Sequence, residues 1–312
     1  FNLDYLRSMD YIGPSCWFRR ESLLEVGGLT PYPGAWHYDA IWRLHDQVEP
    51  EAIGHIAEPL LHLPNGAGDH PLAQASRQVS VENHLARLGI PATVQPGAID
   101  QTVRIEYAYD QSPLVSIIIP NRDAVWYLKP CLEGLFEKTD YANFEVTIVD
   151  NQPDDPDPLD YYDELPRRYG EQVRVVAYDH PFNFSAQCNL GAQASRGEYL
   201  LLLNNDTEIV QSNWLSRLVS YALRPEVGAV GARLVLPENA KIQHAGVIVG
   251  MDRLASHGFM LQDMNEAGYM NRLQVDQNYS AVTAACMLIR RSIYEDVGGM
   301  DAEHAPVLFN DV

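Results

Sequence analysis

The stretch 199-YLLLLNNDTEI-209 runs an aromatic residue and four leucines into two asparagines and an aspartate. An unbroken apolar run of this length reads as a strand buried on both faces, the kind found in parallel sheets. It stops on three residues that all seek hydrogen bonds, a cation or water. Working outward, 115-VSIIIP-120, 144-FEVTIVDN-151 and 173-VRVVAY-178 are strands of the same kind. Helical segments over 125–138, 159–169 and from Ser185 to 196-RG-197 separate them. Ser185 is expected to cap the last of these helices, with Gly197 as its left-handed stop. Strands alternating with helices at this spacing predict a doubly wound α/β layer, in which ligands collect beyond the carboxyl ends of the strands.

The polar strand ends converge on that edge. The first strand ends on Asn121, Arg122 and Asp123, the second on Asp150 and Asn151, and the leucine-rich one on Asn204, Asn205 and Asp206. Any one of these alone reads as a chain turning polar where its strand stops; three strand ends together read as a site. Asp150 stands where nucleotide-binding sheets place an acid for a base or ribose. Asp206 is a hard oxygen ligand beside a turn, suited to hold Mg2+ or Mn2+ by one carboxylate while substrate phosphates and waters complete the shell. The helix beginning near Ser185 aims a positive N-terminal dipole at the crevice. Asn183 and Asn189 therefore line the donor site or serve as cap and core contact, and both readings stand here. His244 is balanced in the same way between substrate contact and satisfied core residue. His257 carries less, Trp214 reads as a core anchor, and Arg290 and Arg291 suit either a phosphate or a sheet edge.

Composition bounds the partners. The 312 residues carry 42 Asp and Glu against 22 Lys and Arg, a formal charge of −20. Such a charge repels nucleic-acid backbones and anionic lipid, so a diphosphate needs local help from a metal or from backbone N–H groups. Four dispersed cysteines without a CxxC pair or a leader argue against a disulfide framework or a zinc ribbon, and read as thiols of a cytoplasmic protein, at most peripheral to the inner membrane. No apolar run approaches the ~20 residues that span a bilayer. A start without methionine and a stop at 309-FNDV-312 in mid-pattern are expected of a piece of a longer chain with upstream and downstream parts.

The series 115-VSIIIPNRD-123, 144-FEVTIVDN-151, 182-FNFSAQCNLGA-192, 200-LLLLNNDTEI-209, 242-IQHAGV-247, 281-AVTAACMLIRR-291, 297-VGGMD-301 and 309-FND-311 resembles the family-two glycosyltransferases of GT-A fold. The resemblance is strongest to the bacterial surface-polysaccharide group that includes rhamnosyltransferases. It covers 113–312 with the motifs in matching order. It implies a Rossmann-like, mostly parallel sheet and inverting transfer of a sugar from a nucleotide-diphosphate sugar to a saccharide or lipid-linked saccharide acceptor. It further implies a divalent metal at a DxD-like motif, here Asn204, Asn205 and Asp206, and a catalytic base at Asp311. The first motif position is Asn rather than Asp, so the metal assignment rests on Asp206. Pro120, Asn121, Arg122, Asp123, Asp150, Asn183, Asn189, Asn204 and Asn205 are then the expected donor-site residues.

An internal repeat accounts for the front of the chain. The segment 13-GPSCWFRRESLLEVGGL-29 aligns without gaps on 284-AACMLIRRSIYEDVGGM-300, pairing Arg19 with Arg290, Arg20 with Arg291 and the two Gly-Gly pairs. Residues 1–64 are therefore expected to be the tail of an upstream glycosyltransferase-like domain, with Asp39 as its base equivalent and His62 resembling the late histidine that supports the metal in parts of the family. A helix and an extended linker over 65–112 follow, with a strand at 102-TVRIEYAY-109, and then the glycosyltransferase domain over 113–312. The tail is expected to pack back on that domain, burying 41-IWRL-44 and 59-PLLHL-63. A rival of another class is a carbohydrate-binding or scaffolding module that kept the fold and lost activity. An NAD-type oxidoreductase fits the sheet but lacks G-x-G-x-x-G after the first strand.

Overall fold

The computed structural model describes residues 1–48, 52–58, 60–62, 70–151, 157–251 and 254–311. The chain forms two compact units, one made of 1–108 with 262–278 and the other of 109–261 with 279–312.

In the first unit, helices α1 (Leu3–Ser8), α2 (Arg20–Glu25), α3 (Trp36–His45) and α4 (Ala73–Arg87) precede the antiparallel pair β1 (Ala92–Pro96) and β2 (Val103–Tyr107). The span expected to be a linker thus closes a hairpin, in which Val94, Val103, Ile105 and Tyr107 are buried. Ile41 and Trp42 are buried as well, but within this unit: Trp42 stacks on His84 of α4 with ring centroids 3.9 Å apart. The apolar face of α3 thus has its cover from α4. Leu60 and Leu61 remain 68% and 58% exposed and His62 is exposed, while Pro59 and Leu63 lie outside the described residues. Asp39 is buried and takes the Arg43 Nε hydrogen at 2.9 Å, and Arg43 in turn donates to the Gly28 carbonyl at 2.7 Å.

The repeat survives in backbone detail. In the first copy, Val26 N donates to Ser22 O at 3.2 Å and Gly28 N to Leu23 O at 2.8 Å; in the second, Val297 N donates to Ile293 O at 3.1 Å and Gly299 N to Tyr294 O at 2.8 Å. Both Gly-Gly pairs are left-handed, with φ of +91° and +75° in one and +86° and +76° in the other, which is why glycine stands at both positions.

The second unit is the expected α/β layer. Its elements are β3 (Val115–Asn121), α5 (Val125–Lys138), β4 (Phe144–Asp150), α6 (Asp157–Tyr169), β5 (Val173–Ala177), α7 (Phe184–Ala194), β6 (Tyr199–Leu203) and α8 (Trp214–Ala222). Then come the short strands β7 (Ala229–Gly231), β8 (Leu234–Leu236), β9 (Lys241–His244), β10 (Val247–Val249) and β11 (Ala255–His257), and finally β12 (Cys286–Arg290) and α9 (Arg291–Asp296). The six-stranded sheet has the order β5-β4-β3-β6-β12-β7. Its first four strands are parallel, and β12 runs antiparallel to β6. All five residues of β6 and all seven of β4 are buried, as central strands of a parallel sheet covered on both faces are. Side chains from α5, α6 and α8 fill one face and those from α7 and α9 the other.

Two local expectations need correction. Asn183, not Ser185, caps α7: its Oδ1 accepts the Ala186 N–H at 2.9 Å, while the Ser185 hydroxyl donates to Ala305 O at 2.6 Å. Gly197 is not a left-handed stop, because α7 ends at Ala194; glycine is needed there for close approach to β3, where a Cβ would sit 2.5 Å from Ser116 Oγ. At this amino edge the buried Glu145 accepts from Ser116 Oγ at 2.9 Å, the Arg196 main chain at 2.7 Å and Arg174 at 2.7 Å.

Candidate active site

Parallel register sets the site. Asn121 pairs with Asp150, and Asp150 with Ala177, so the last residues of β3, β4 and β5 lie side by side at the carboxyl edge. A chain of hydrogen bonds runs along that edge. The Asn205 amide donates to Asn121 Oδ1 at 2.6 Å, the Asn121 amide donates to the Tyr162 hydroxyl at 2.9 Å, and that hydroxyl donates to Asp150 Oδ1 at 2.9 Å. Asn151 fastens the next loop by donating to the Tyr178 and His180 carbonyls at 3.1 and 2.8 Å. Burial raises the Asp150 carboxyl above its ordinary value; the Tyr162 hydrogen bond opposes this, and the nearby Asp123 and Asp179 add to it. At the rim, Asp123 adopts a left-handed φ of +55° and lies 3.5 Å from the Arg122 guanidinium, and Pro120 is half-buried.

Past β6, Asn204 is tied by its main chain, its N–H donating to Ala285 O at 3.1 Å and its carbonyl accepting from Thr207 N at 3.4 Å. This turn leaves the Asp206 carboxylate exposed, with no hydrogen-bond partner among the described residues. One exposed carboxylate on a fixed turn fits Mg2+ or Mn2+, hard ions that keep several waters and take further oxygens from a substrate. Burial pushes the neighbouring Cys131 thiol up to about 12, and the charge of Asp206 adds to the rise, so this thiol is no ligand at neutral pH.

Asp311 joins the edge from the far end of the chain. Its Oδ2 accepts the Ala284 N–H at 3.0 Å, one residue before Ala285, which holds Asn204. The adjacent Thr283 N–H points at His244 Nε2, 3.4 Å away, and His244 Nδ1 lies 2.9 Å from His257 Nδ1. Burial lowers the His244 pKa to about 4, with His257 adding and Asp311 opposing, so His244 is neutral beside Asp311. The pairing of the two histidines is invisible in the sequence because β9 and β11 belong to different small sheets.

The structure does not bring every expected residue to this edge. The Asn189 amide is engaged inside the fold, accepting from the Tyr294 hydroxyl at 2.6 Å and Met300 N at 2.9 Å and donating to Met300 O at 2.8 Å. Asn183 caps α7 and donates to Ala302 O at 2.8 Å. Both therefore fix the segment that leads to Asp311. Arg290 and Arg291 lie at the opposite edge of the sheet, donating to the carbonyls of Ala222 and Gly197 at 3.1 and 2.6 Å. Tyr162 was missed: it lies twelve residues after Asp150 in an amphipathic helix, and only the packing of α6 brings its hydroxyl to the strand ends.

Among the described residues, one group of three ligating side chains, His45, Asp46 and His84, has its ligand atoms within 4.8 Å. It lies in the first unit. His84 Nδ1 is 2.6 Å from Asp46 Oδ1, and Arg7 Nε donates to His84 Nε2 at 3.2 Å. Arg7 fixes the tautomer with the proton on Nδ1, which leaves the imidazole no lone pair for an ion. The group is a buried hydrogen-bonded lock. Among the described residues, no helix is long and apolar enough to cross a membrane.

The glycosyl transferase family 2 model matches residues 116–298, and the chain belongs to that family. It is 38% identical over 321 residues to the uncharacterized protein y4gI of Sinorhizobium fredii, covering 100% of this chain and 35% of that protein. It is 38% identical over 322 residues to the O-antigen biosynthesis protein RfbC of Myxococcus xanthus, covering 99% of this chain and 24% of that protein. The chain thus spans about a third and a quarter of these relatives' lengths. Among solved structures it is similar to GalNAc-T7 with UDP, GalNAc and Mn2+, with a TM-score of 0.50 and 16% identity over 67% of this chain and 41% of that one. The shared architecture is the GT-A glycosyltransferase fold.

Proposed function

We propose that the second unit transfers a sugar, with inversion, from a nucleotide-diphosphate sugar to a growing saccharide acceptor in the synthesis of a bacterial surface polysaccharide. The observation that carries this reading is the gathering of Asn121, Asp150, Asn205 with its neighbour Asp206, and Asp311 along one carboxyl edge of the sheet. The relative named for O-antigen biosynthesis supports the polysaccharide context, and the UDP and Mn2+ of the similar solved structure support a nucleotide sugar with a divalent ion.

In this reading Asp150 binds the base or ribose, and the strand-end residues 120–123 shape the rest of the nucleoside pocket. Asp206 would hold a divalent ion, which when bound would supply Lewis-acid stabilisation of the negative charge on the departing diphosphate. Asp311 takes the proton of the acceptor hydroxyl as it attacks the opposite face of the sugar. The Ala284 N–H already bound to Oδ2 holds this carboxylate in place. His244, neutral beside it, adds no positive charge at this carboxylate.

A thermal-shift screen of UDP-, GDP- and dTDP-sugars with Mg2+ or Mn2+ tests the reading, since a ligand that binds the folded state raises its melting temperature by mass action. A metal-dependent rise with at least one nucleotide sugar is expected. No rise with any of them would favour the noncatalytic module instead.

A further inference from the structure

We propose that Tyr162, through its hydroxyl, is the positioning residue that sets the Asp150 carboxylate for the nucleoside and ties it to the turn bearing Asp206. The inference rests on the nucleotide-sugar reading and deepens it. Tyr162 is buried, and its hydroxyl has a single proton to give, which goes to Asp150 Oδ1 at 2.9 Å. It can do so because the Asn121 amide supplies the hydroxyl's own acceptor contact at 2.9 Å. The direction of that amide is set in turn by Asn205, which occupies Asn121 Oδ1 at 2.6 Å. Each of these three bonds joins one donor to one acceptor, so the orientation of each group follows from the next. The consequence at Asp150 is geometric: Oδ1 is committed, while Oδ2 takes no hydrogen bond among the described residues and is the oxygen turned to the nucleoside. Besides burial of the strand end itself, three groups bear on that carboxylate: Tyr162 from α6 by hydrogen bond, and Asp123 after β3 and Asp179 after β5 by their charge. Tyr162 alone favours the ionised form that a hydroxyl-donating nucleoside requires.

The adjacent residue supplies a matched control. Tyr161 is also buried, yet its hydroxyl has no hydrogen-bond partner among the described residues. Removing that oxygen takes the same atom from the same helix without touching Asp150.

The experiment titrates the 312-residue chain with UDP, GDP and dTDP in the presence of Mn2+ by calorimetry, and carries the tightest of the three into the variants. Tyr162→Phe is expected to weaken it about tenfold, the typical weight of a hydrogen bond to a charged group. The acid limb of binding should also move to higher pH, because the carboxylate has lost the donor that favoured its ionised form. Tyr161→Phe should leave both affinity and pH profile unchanged. Unchanged affinity in Tyr162→Phe, or equal losses in the two variants, would overturn the positioning role while leaving the nucleotide reading intact. Failure of all three nucleotides to bind the unaltered chain would overturn the nucleotide reading, and this role with it.

Discussion

The side-chain amide of Asn205 donates to Asn121 Oδ1 at 2.6 Å, joining the loop after β6 to the end of β3 across the middle of the carboxyl edge. Asn121 is 3% exposed, so this acceptor has no water to replace Asn205 if it is removed. Asn205→Ala is expected to cost about 1–3 kcal/mol, the desolvation penalty of an orphaned buried acceptor. Denaturant unfolding followed by a probe in the second unit measures it. A loss within ~0.3 kcal/mol of zero would mean that the amide is not a structural tie.

Among the described residues Asp311 is held by a main-chain N–H and by no side-chain hydrogen bond, so its isosteric amide can occupy the same place without rearranging the site. Asp311→Asn is predicted to lower kcat about 10²–10⁴-fold, the usual weight of a general base, and to leave nucleotide affinity unchanged. Turnover is followed with the donor that most stabilises the chain. Retained turnover would remove Asp311 from the mechanism.

In the first unit, burial pulls the His84 imidazole down to about 4; Asp46 opposes this, and the charges of Arg7 and His45 add to it. An unfolded histidine titrates near ~6.5. The unfolded chain therefore takes up the proton first as the pH falls. His84 contributes its full stability above ~6.5 and loses it progressively toward pH 4. An NMR titration of the ring should show His84 neutral down to about pH 4, and the first unit should melt at lower temperatures between pH 6.5 and 4. A midpoint near 6.5 for His84 would show that Arg7 does not hold Nε2.

Much of this architecture can be read from the chain because its central strands are rich in leucine and β-branched residues, and 199-YLLLL-203 and 144-FEVTIVD-150 are buried between two layers of helices. The side-by-side placement of Asn121 and Asp150 follows from two such strands ending in register. What could not be read depends on contacts distant in sequence. Tyr162 meets Asp150 only because α6 lies over β4 and β5. Asn189 is spent on the Gly-Gly turn more than a hundred residues further on, and its pattern within α7 does not distinguish that use from ligand binding. The capping of α7 by Asn183 in place of Ser185 turns on the 302–306 segment, which takes the Ser185 hydroxyl and the Asn183 amide N–H and leaves Asn183 Oδ1 for the helix end. The packing of Ile41 and Trp42 was misjudged for a related reason: the amphipathic pattern of α3 demands a partner without saying that α4 is the one.

Calorimetry on Asp206→Ala decides whether the turn after β6 holds the proposed divalent ion for a nucleotide sugar through the Asp206 carboxylate. The unaltered chain should bind its preferred nucleoside diphosphate more tightly with Mn2+ than without it. In Asp206→Ala, an exposed position where little stability is at stake, the metal should give no gain in affinity while the melting temperature in the absence of ligand stays the same. Metal-dependent affinity undiminished in the variant would contradict the account.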